Sequence, residues 1–280
     1  MNRDEMIYNL EHSSSYRMAY QDPDLLRWPE ARMLRLQLEY YKPEQALRDH
    51  HVHSTVIVFG SARVPAPEDA ASVVAEAQSQ LDADPQNVEL ACNLQRKKRL
   101  ASLSRYYEEV RRFSETISVM SKKYFDSREY VILTGGGPGI MESGNRGAHD
   151  AGCRSVGLNI KLPFEQHPNP WITPELCFQF HYFAIRKLHF LLRAKALVAA
   201  PGGFGTFDEL FEVLTLVQTH RTAKIPIVLL GREFWESAVN FQFLVDNGLI
   251  SEQDIKLFRF ANTADETLAI LKEFHGIITV

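Results

Sequence analysis

Ala196-Leu197-Val198-Ala199-Ala200 runs directly into Pro201-Gly202-Gly203-Phe204-Gly205-Thr206-Phe207-Asp208-Glu209. The first five residues form a short apolar run bounded by a turn signal, the pattern of a buried strand. Glu209 to Thr219 follows as an amphipathic helix opened by the glycine turn. Thr206, with Glu209 three residues on, has capping-box spacing. A glycine turn between strand and helix leaves backbone N–H groups free to meet an anion, and the helix end adds partial positive charge. Glu209 is then expected beside whatever the loop holds, so anion grip and acid–base chemistry share one corner.

A second corner of this kind lies upstream. Tyr130-Val131-Ile132-Leu133-Thr134 reads as a strand and is followed by Gly135-Gly136-Gly137-Pro138-Gly139-Ile140-Met141-Glu142. Pro138 suits the first turn of a helix, where its missing N–H costs nothing. Two strand–glycine–helix corners suggest a nucleotide held between them. Neither is followed by Gly-Lys-Ser/Thr, so neither is a Walker A loop, and neither has the spacing of a dinucleotide fingerprint. A third turn, Gly60-Ser61-Ala62-Arg63, closes the strand Val56–Phe59 and offers more N–H and hydroxyl donors for a phosphate or ribose.

Working outward, the chain alternates. Further strands are expected at 155–160, 176–180 and 225–230, and helices at 184–194, near 234–246 and at 264–274. Short apolar strands separated by helices predict an α/β fold: a Rossmann-like, doubly wound, mostly parallel sheet with helices on both faces. Ligands of such sheets bind at the carboxyl ends of the strands, where all three glycine corners fall. Residues 1–52, rich in charge and aromatics, read as a helical N-terminal extension, with a helix near 31–41. Residues 53–280 read as the nucleotide-binding catalytic domain. Within it, 66–126 exceeds one crossover helix, and Asp82-Ala83-Asp84-Pro85 breaks it into a helical hairpin or an oligomer contact.

Composition narrows the class. The chain has 280 residues with 45% hydrophobic content, enough for a full core, and a net charge of −4 that gives no bias toward nucleic acid or anionic membrane. Cys92, Cys153 and Cys177 form no CxxC pair, which argues for a reducing compartment and against a zinc site. The start lacks the apolar core of a signal peptide, and no run reaches membrane-spanning length. A cytoplasmic protein is expected. His50, His51 and His53 have no cysteine or carboxylate at metal spacing, so no metal is expected there. Arg96-Lys97-Lys98-Arg99 reads as a solvated helix face or a subunit contact.

The residues also carry a family resemblance. PGGFGTFDE resembles the PGGxGTxxE motif of the LONELY GUY proteins, long labelled "lysine decarboxylase-like". GGGPGIME resembles the family's glycine-rich segment, and Phe183-Ala184-Ile185-Arg186-Lys187 resembles its arginine–lysine site. Leu162-Pro163-Phe164-Glu165-Gln166 with Asn169-Pro170 resembles a segment of longer bacterial members. The likeness spans roughly residues 54–275. It implies hydrolysis of the N-glycosidic bond of nucleoside 5′-monophosphates, AMP or cytokinin ribotides, without a cofactor, by a homodimer or larger homo-oligomer.

By that resemblance Glu209 and Arg186 are the catalytic residues. Arg186 and Arg193 lie off the apolar stripe formed by Ile185, Leu188 and Leu192, and an arginine's fork suits a phosphate. Substrate contacts are expected from Gly60, Ser61, Gly135, Gly136, Gly137, Gly139, Glu165, Lys187, Gly202, Gly203, Gly205, Thr206, Glu212 and Thr215. Two other readings stay open. One is a non-catalytic carrier of a nucleotide or phosphorylated cofactor, which shares the glycine loops. The other is a pyridoxal-phosphate decarboxylase, for which no Schiff-base lysine signature is present.

Overall fold

The strands alternate their apolar side chains between two cores, and this alternation builds the molecule. In a computed structural model, which describes residues 2–163 and 167–276, seven strands form one sheet. They are β1 (Thr55–Phe59), β2 (Val131–Thr134), β3 (Ser155–Ile160), β4 (Cys177–Phe180), β5 (Ala194–Ala199), β6 (Ile227–Leu230) and β7 (Phe258–Ala261). Their order is β4-β3-β2-β1-β5-β6-β7, and every pairing is parallel. Ile57, Leu133, Leu197 and Leu229 point to one face, and Val56, Ile132, Val198 and Val228 to the other. The period of two sends successive side chains to opposite faces.

Helices cover both faces. The first face is closed by α2 (Arg32–Asp49), α7 (Phe183–Leu191), α8 (Phe204–Gln218), α9 (Arg232–Ala238) and α10 (Phe241–Asp246). They contribute Leu47, Phe190, Leu210, Trp235 and Phe241 to one continuous core. The second face is closed by α5 (Ser104–Phe125), α6 (Ile140–Asp150) and α11 (Ala264–His275), through Phe113, Ile140 and Leu271. Between β1 and α5 stand α3 (Pro67–Ala83) and α4 (Val88–Ser102), a helical hairpin broken at Asp84 as its sequence predicts. Asn87 caps α4, accepting from the Glu89 and Leu90 N–H groups. The first helix, α1 (Arg3–Glu11), has no buried residue. Among the described residues no helix is long and apolar enough to cross a membrane.

Several boundaries differ from expectation. The sheet has seven strands rather than six. The extra one, β7, is an edge strand of four residues whose short apolar run is interrupted by the exposed Arg259, so it does not stand out in sequence. The helix expected at 184–194 ends at Leu191, and β5 begins at Ala194 rather than Ala196. The helix near 234–246 is two helices, separated where Asn240 accepts from the Phe243 N–H and caps the second.

Candidate active site

The chain builds outward from β1 through β2, β3 and β4, then returns to place β5 on the other side of β1. The crevice at this reversal is where open α/β sheets bind ligands. The three glycine corners follow the carboxyl ends of β1, β2 and β5, and backbone hydrogen bonds stitch them together. The Ala200 N–H donates to the Phe59 carbonyl at 2.9 Å, the Ser61 N–H to Pro201 at 3.0 Å, and the Ile140 N–H to Ser61 at 3.0 Å. Gly60 and Gly139 serve this stitching. A Cβ at Gly60 would collide with Ile140, and one at Gly139 (φ +70°) with the Ser61 carbonyl. The Ser61 N–H is thus committed within the fold rather than offered to a ligand. Its Oγ accepts from the Arg63 N–H at 3.0 Å.

The loop after β2 is strapped from beneath. Gly136 (φ +74°) donates its N–H to Thr134 Oγ1 at 2.9 Å, and its carbonyl accepts from the Asn169 N–H at 2.9 Å. Asn169 Nδ2 reaches the Gly137 carbonyl (3.1 Å) and Asn145 Oδ1 (2.9 Å), and Asn145 also accepts from Thr134 Oγ1 at 2.7 Å. This buried network is satisfied throughout, so it fixes the loop. The sequence marks Asn169 only as part of a motif, and its role as the strap needed the fold. Pro138 lies outside helix α6, whose cap is Gly139.

The third corner departs most from its sequence reading. Helix α8 starts at Phe204, five residues before the expected start, with Gly203 at the cap and no side-chain cap bond. Thr206 and Glu209 therefore form no capping box. Thr206 lies inside the first turn, 6% exposed and packed against Gly202, while Glu209 lies in the second turn. The first-turn N–H groups of Phe204, Gly205 and Thr206 have no carbonyl four residues back within the helix. A Cβ at Gly203 or Gly205 meets nothing within 4 Å, and neither residue has positive φ, so the fold itself does not require glycine there.

Arg186 enters the corner from α7. The expected apolar stripe is split: Ile185 packs partly buried against the core, Leu188 and Leu192 are 43% and 42% exposed, and Arg186 is 7% exposed, beside buried His189 and Phe190. The guanidinium repays its burial with fixed partners. Nε donates to the Leu158 carbonyl at 2.7 Å, Nη1 to Glu209 Oε1 at 3.1 Å, and Cζ lies 5.0 Å from the Phe190 ring centre. A Cβ at Gly135 would come within 2.5 Å of Arg186 Nη2, so that glycine makes room for the arginine. Burial pushes the Glu209 carboxyl up to about 7, and the Arg186 cation opposes the rise. The same burial lowers the Arg186 value while Glu209 opposes the fall. Arginine stays charged, so Glu209 is the group that titrates.

Lys187, next to Arg186 on α7, pairs with two other carboxylates. It bonds Asp208 at 2.8 Å and Glu212 at 3.0 Å. Although its ammonium is partly desolvated, these carboxylates hold it above the ordinary lysine value. Glu212 and Thr215 line a groove of about 450 Å³ with Lys187 and Phe211, and Thr215 Oγ1 donates to the Phe211 carbonyl at 2.7 Å. Glu165 lies outside the described residues. His53 Nδ1 stands 3.8 Å from Glu129, and among the described residues no cluster of three metal-ligating side chains occurs. A groove of about 760 Å³ between α3 and α4 is lined by Leu81, Val88, Leu94 and Leu100, none of which belongs to the glycine corners.

Comparison with known proteins places these corners in a wider setting. A family model described as "Possible lysine decarboxylase" matches residues 141–271. Cytokinin riboside 5′-monophosphate phosphoribohydrolase LOG2 of Arabidopsis thaliana is 31% identical over 149 residues, covering 51% of this chain and 68% of that protein. The LOG enzyme of Oryza sativa subsp. japonica is 30% identical over 148 residues, covering 51% of this chain and 60% of its own. The structure of a molybdenum cofactor carrier protein from Chlamydomonas reinhardtii superposes with a TM-score of 0.46 at 18% identity, across 80% of this chain and 98% of that one.

Proposed function

Because this chain belongs to the LONELY GUY family of phosphoribohydrolase relatives, we propose that it hydrolyses nucleoside 5′-monophosphates to free base and ribose 5-phosphate. One observation carries the reading. A part-buried carboxylate–guanidinium pair adjoins a helix start whose first-turn N–H groups have no partner within the helix, flanked by two glycines the fold does not need. Glycines without a conformational or packing reason are explained by close approach of a ligand to the backbone.

In this reading the phosphate rests on the Phe204, Gly205 and Thr206 amides, assisted by the Gly135–Gly139 loop. The C1′–N bond breaks with its electron pair leaving on the base, and positive charge grows on the ribose as in glycoside hydrolysis. The Glu209 carboxylate stabilises that charge and takes a proton from the water whose oxygen adds to C1′. The leaving base gains a proton in exchange. Arg186 holds Glu209 in place and offers its remaining N–H donors to the ribose phosphate. The low dielectric that raises the Glu209 pKa also strengthens each of these interactions.

The decarboxylase label fits the residues poorly. A Schiff-base lysine must lose its proton to attack, and Lys187 is held protonated by Asp208 and Glu212. Adenine is the base expected, with prenylated adenine the alternative that a nucleotide panel resolves. The outward Leu188 and Leu192 stripe on α7 is assigned to contact with a second copy, which light scattering tests by a mass above that of one chain. The deciding experiment is chromatography of AMP incubated with the protein. Adenine released by the wild type and absent with Glu209→Gln supports the reading. AMP bound but intact would make the protein a carrier.

A further inference from the structure

The segment before residue 53 lies outside the matched family region, yet it touches the helix that carries Arg186 at several points. We propose that α2 is a brace that sets the position of Arg186, with Glu39 as a positioning residue. The inference rests on the reading of Arg186 and Glu209 as the reactive pair.

Helix α7 begins without a cap of its own. Tyr182 at its cap position offers no side-chain bond, and its first turn has no acidic residue. The missing acceptor comes from α2. Glu39 Oε1 accepts from the His181 N–H at 2.8 Å, and Oε2 accepts from the Tyr182 N–H at 3.1 Å. Tyr182 is the cap residue and His181 precedes it, so the carboxylate satisfies the orphan N–H of the cap, holds the chain entering the helix and suits the dipole. Arg35, one turn earlier on α2, donates Nε to the Tyr182 hydroxyl at 3.0 Å, and its Nη1 bonds the Leu26 and Trp28 carbonyls at 2.7 Å each.

Further along, the Tyr40 ring lies 5.4 Å from that of His189. Past the end of α7, Glu44 takes Arg193 in a two-pronged pair at 2.6 and 2.8 Å. The contacts therefore run the length of α7. Arg186 sits in its first turn, the part that frays when a cap is lost. The guanidinium is tethered to Leu158 and Glu209, so movement of the turn strains the one ion pair that opposes Glu209 protonation. The charged groups around Glu209 are Arg186 and Lys187 from α7 and Asp208 and Glu212 from its own helix. Only those on α7 ride on the brace.

The test is Glu39→Gln in the full chain, which puts an amide donor where an acceptor is needed. The kcat/KM for AMP is expected to fall about fivefold, the factor a lost helix cap is worth. The titration of Glu209, read by carbon-13 NMR of its carboxyl, is expected to move to higher pH because the arginine opposes its protonation less. A merely structural role would lower the melting temperature and leave that titration in place. Glu39→Asp, which keeps the charge, is expected to recover part of the shift. The NMR readout needs no turnover, so a wild type that releases no base ends the hydrolase reading while the brace is still judged. A folded Glu39→Gln protein whose Glu209 titrates as in the wild type overturns the brace. If that variant does not fold, Tyr182→Phe removes only the Arg35 bond and must show a smaller shift in the same direction; an unmoved titration there also overturns it.

Discussion

The rate of base release should depend steeply on pH near neutrality, and the dependence comes from one carboxyl group. Burial raises the Glu209 pKa from the ordinary 4.5 to about 7. In the proposed mechanism the active form is the carboxylate, so activity is expected to rise with pH through that value. With a pKa of about 7, roughly 9% of Glu209 is ionised at pH 6 and roughly 91% at pH 8, an increase of about tenfold. A glutamate at its ordinary pKa would already be about 97% ionised at pH 6, giving a flat profile. The second ionisation of the substrate phosphate, near pH 6, accounts for about twofold over the same range. A nucleotide series assayed by chromatography from pH 5.5 to 8.5 therefore separates the three cases. Glu209→Gln should remove the tenfold rise together with about a hundredfold or more of the rate. Arg186→Met, by deleting the opposing cation, should move the limb above pH 7. A wild-type profile flat between pH 6 and 8, or Gln variant activity near that of the wild type, would refute the assignment of Glu209.

Three other substitutions test the corner piece by piece. Gly205→Ala should stabilise the fold by about 0.5–1 kcal/mol, since alanine is favoured in a helix, yet raise the KM for AMP about tenfold by crowding the phosphate; a melting curve and KM read together check it, and an unchanged KM removes the phosphate from that helix start. Gly135→Ala would bring a Cβ within 2.5 Å of Arg186 Nη2 and 2.8 Å of Met141 Sδ. Displacing the guanidinium should cost about a hundredfold in kcat/KM, beyond what the change in melting temperature reflects. Asn169→Ala strips the strap from the Gly137 carbonyl and the Asn145 amide and should lower unfolding free energy by about 2 kcal/mol in urea titration.

Much of this architecture is legible in the chain itself. The strand at 155–160 and the three glycine corners fall where the apolar residues and turn residues put them, because the alternation of Val156, Leu158 and Ile160 with Ser155, Gly157 and Asn159 is a strand's own period of two. The break at Asp84 is equally local, since Pro85 and the Asn87 cap decide it. Other features depend on neighbours remote in sequence. Leu188 and Leu192 look like the inward stripe of α7 and face outward, because the inner positions are taken by Arg186 and His189. The Thr206–Glu209 spacing imitates a capping box, but the helix starts earlier, at Phe204 after the Gly203 cap, and carries Glu209 into its second turn, against Arg186.

Local sequence by itself determined the repeating strand–turn–helix pattern, the glycine corners and the acid and base types available to them, because propensity and period are properties of adjacent residues. Which strands neighbour one another, that Arg186 is buried against Glu209, and that Glu39 closes the start of α7 were decided only in three dimensions. Those contacts join residues 23 and more than 140 positions apart, and their energies depend on burial and distance, which the folded chain alone sets.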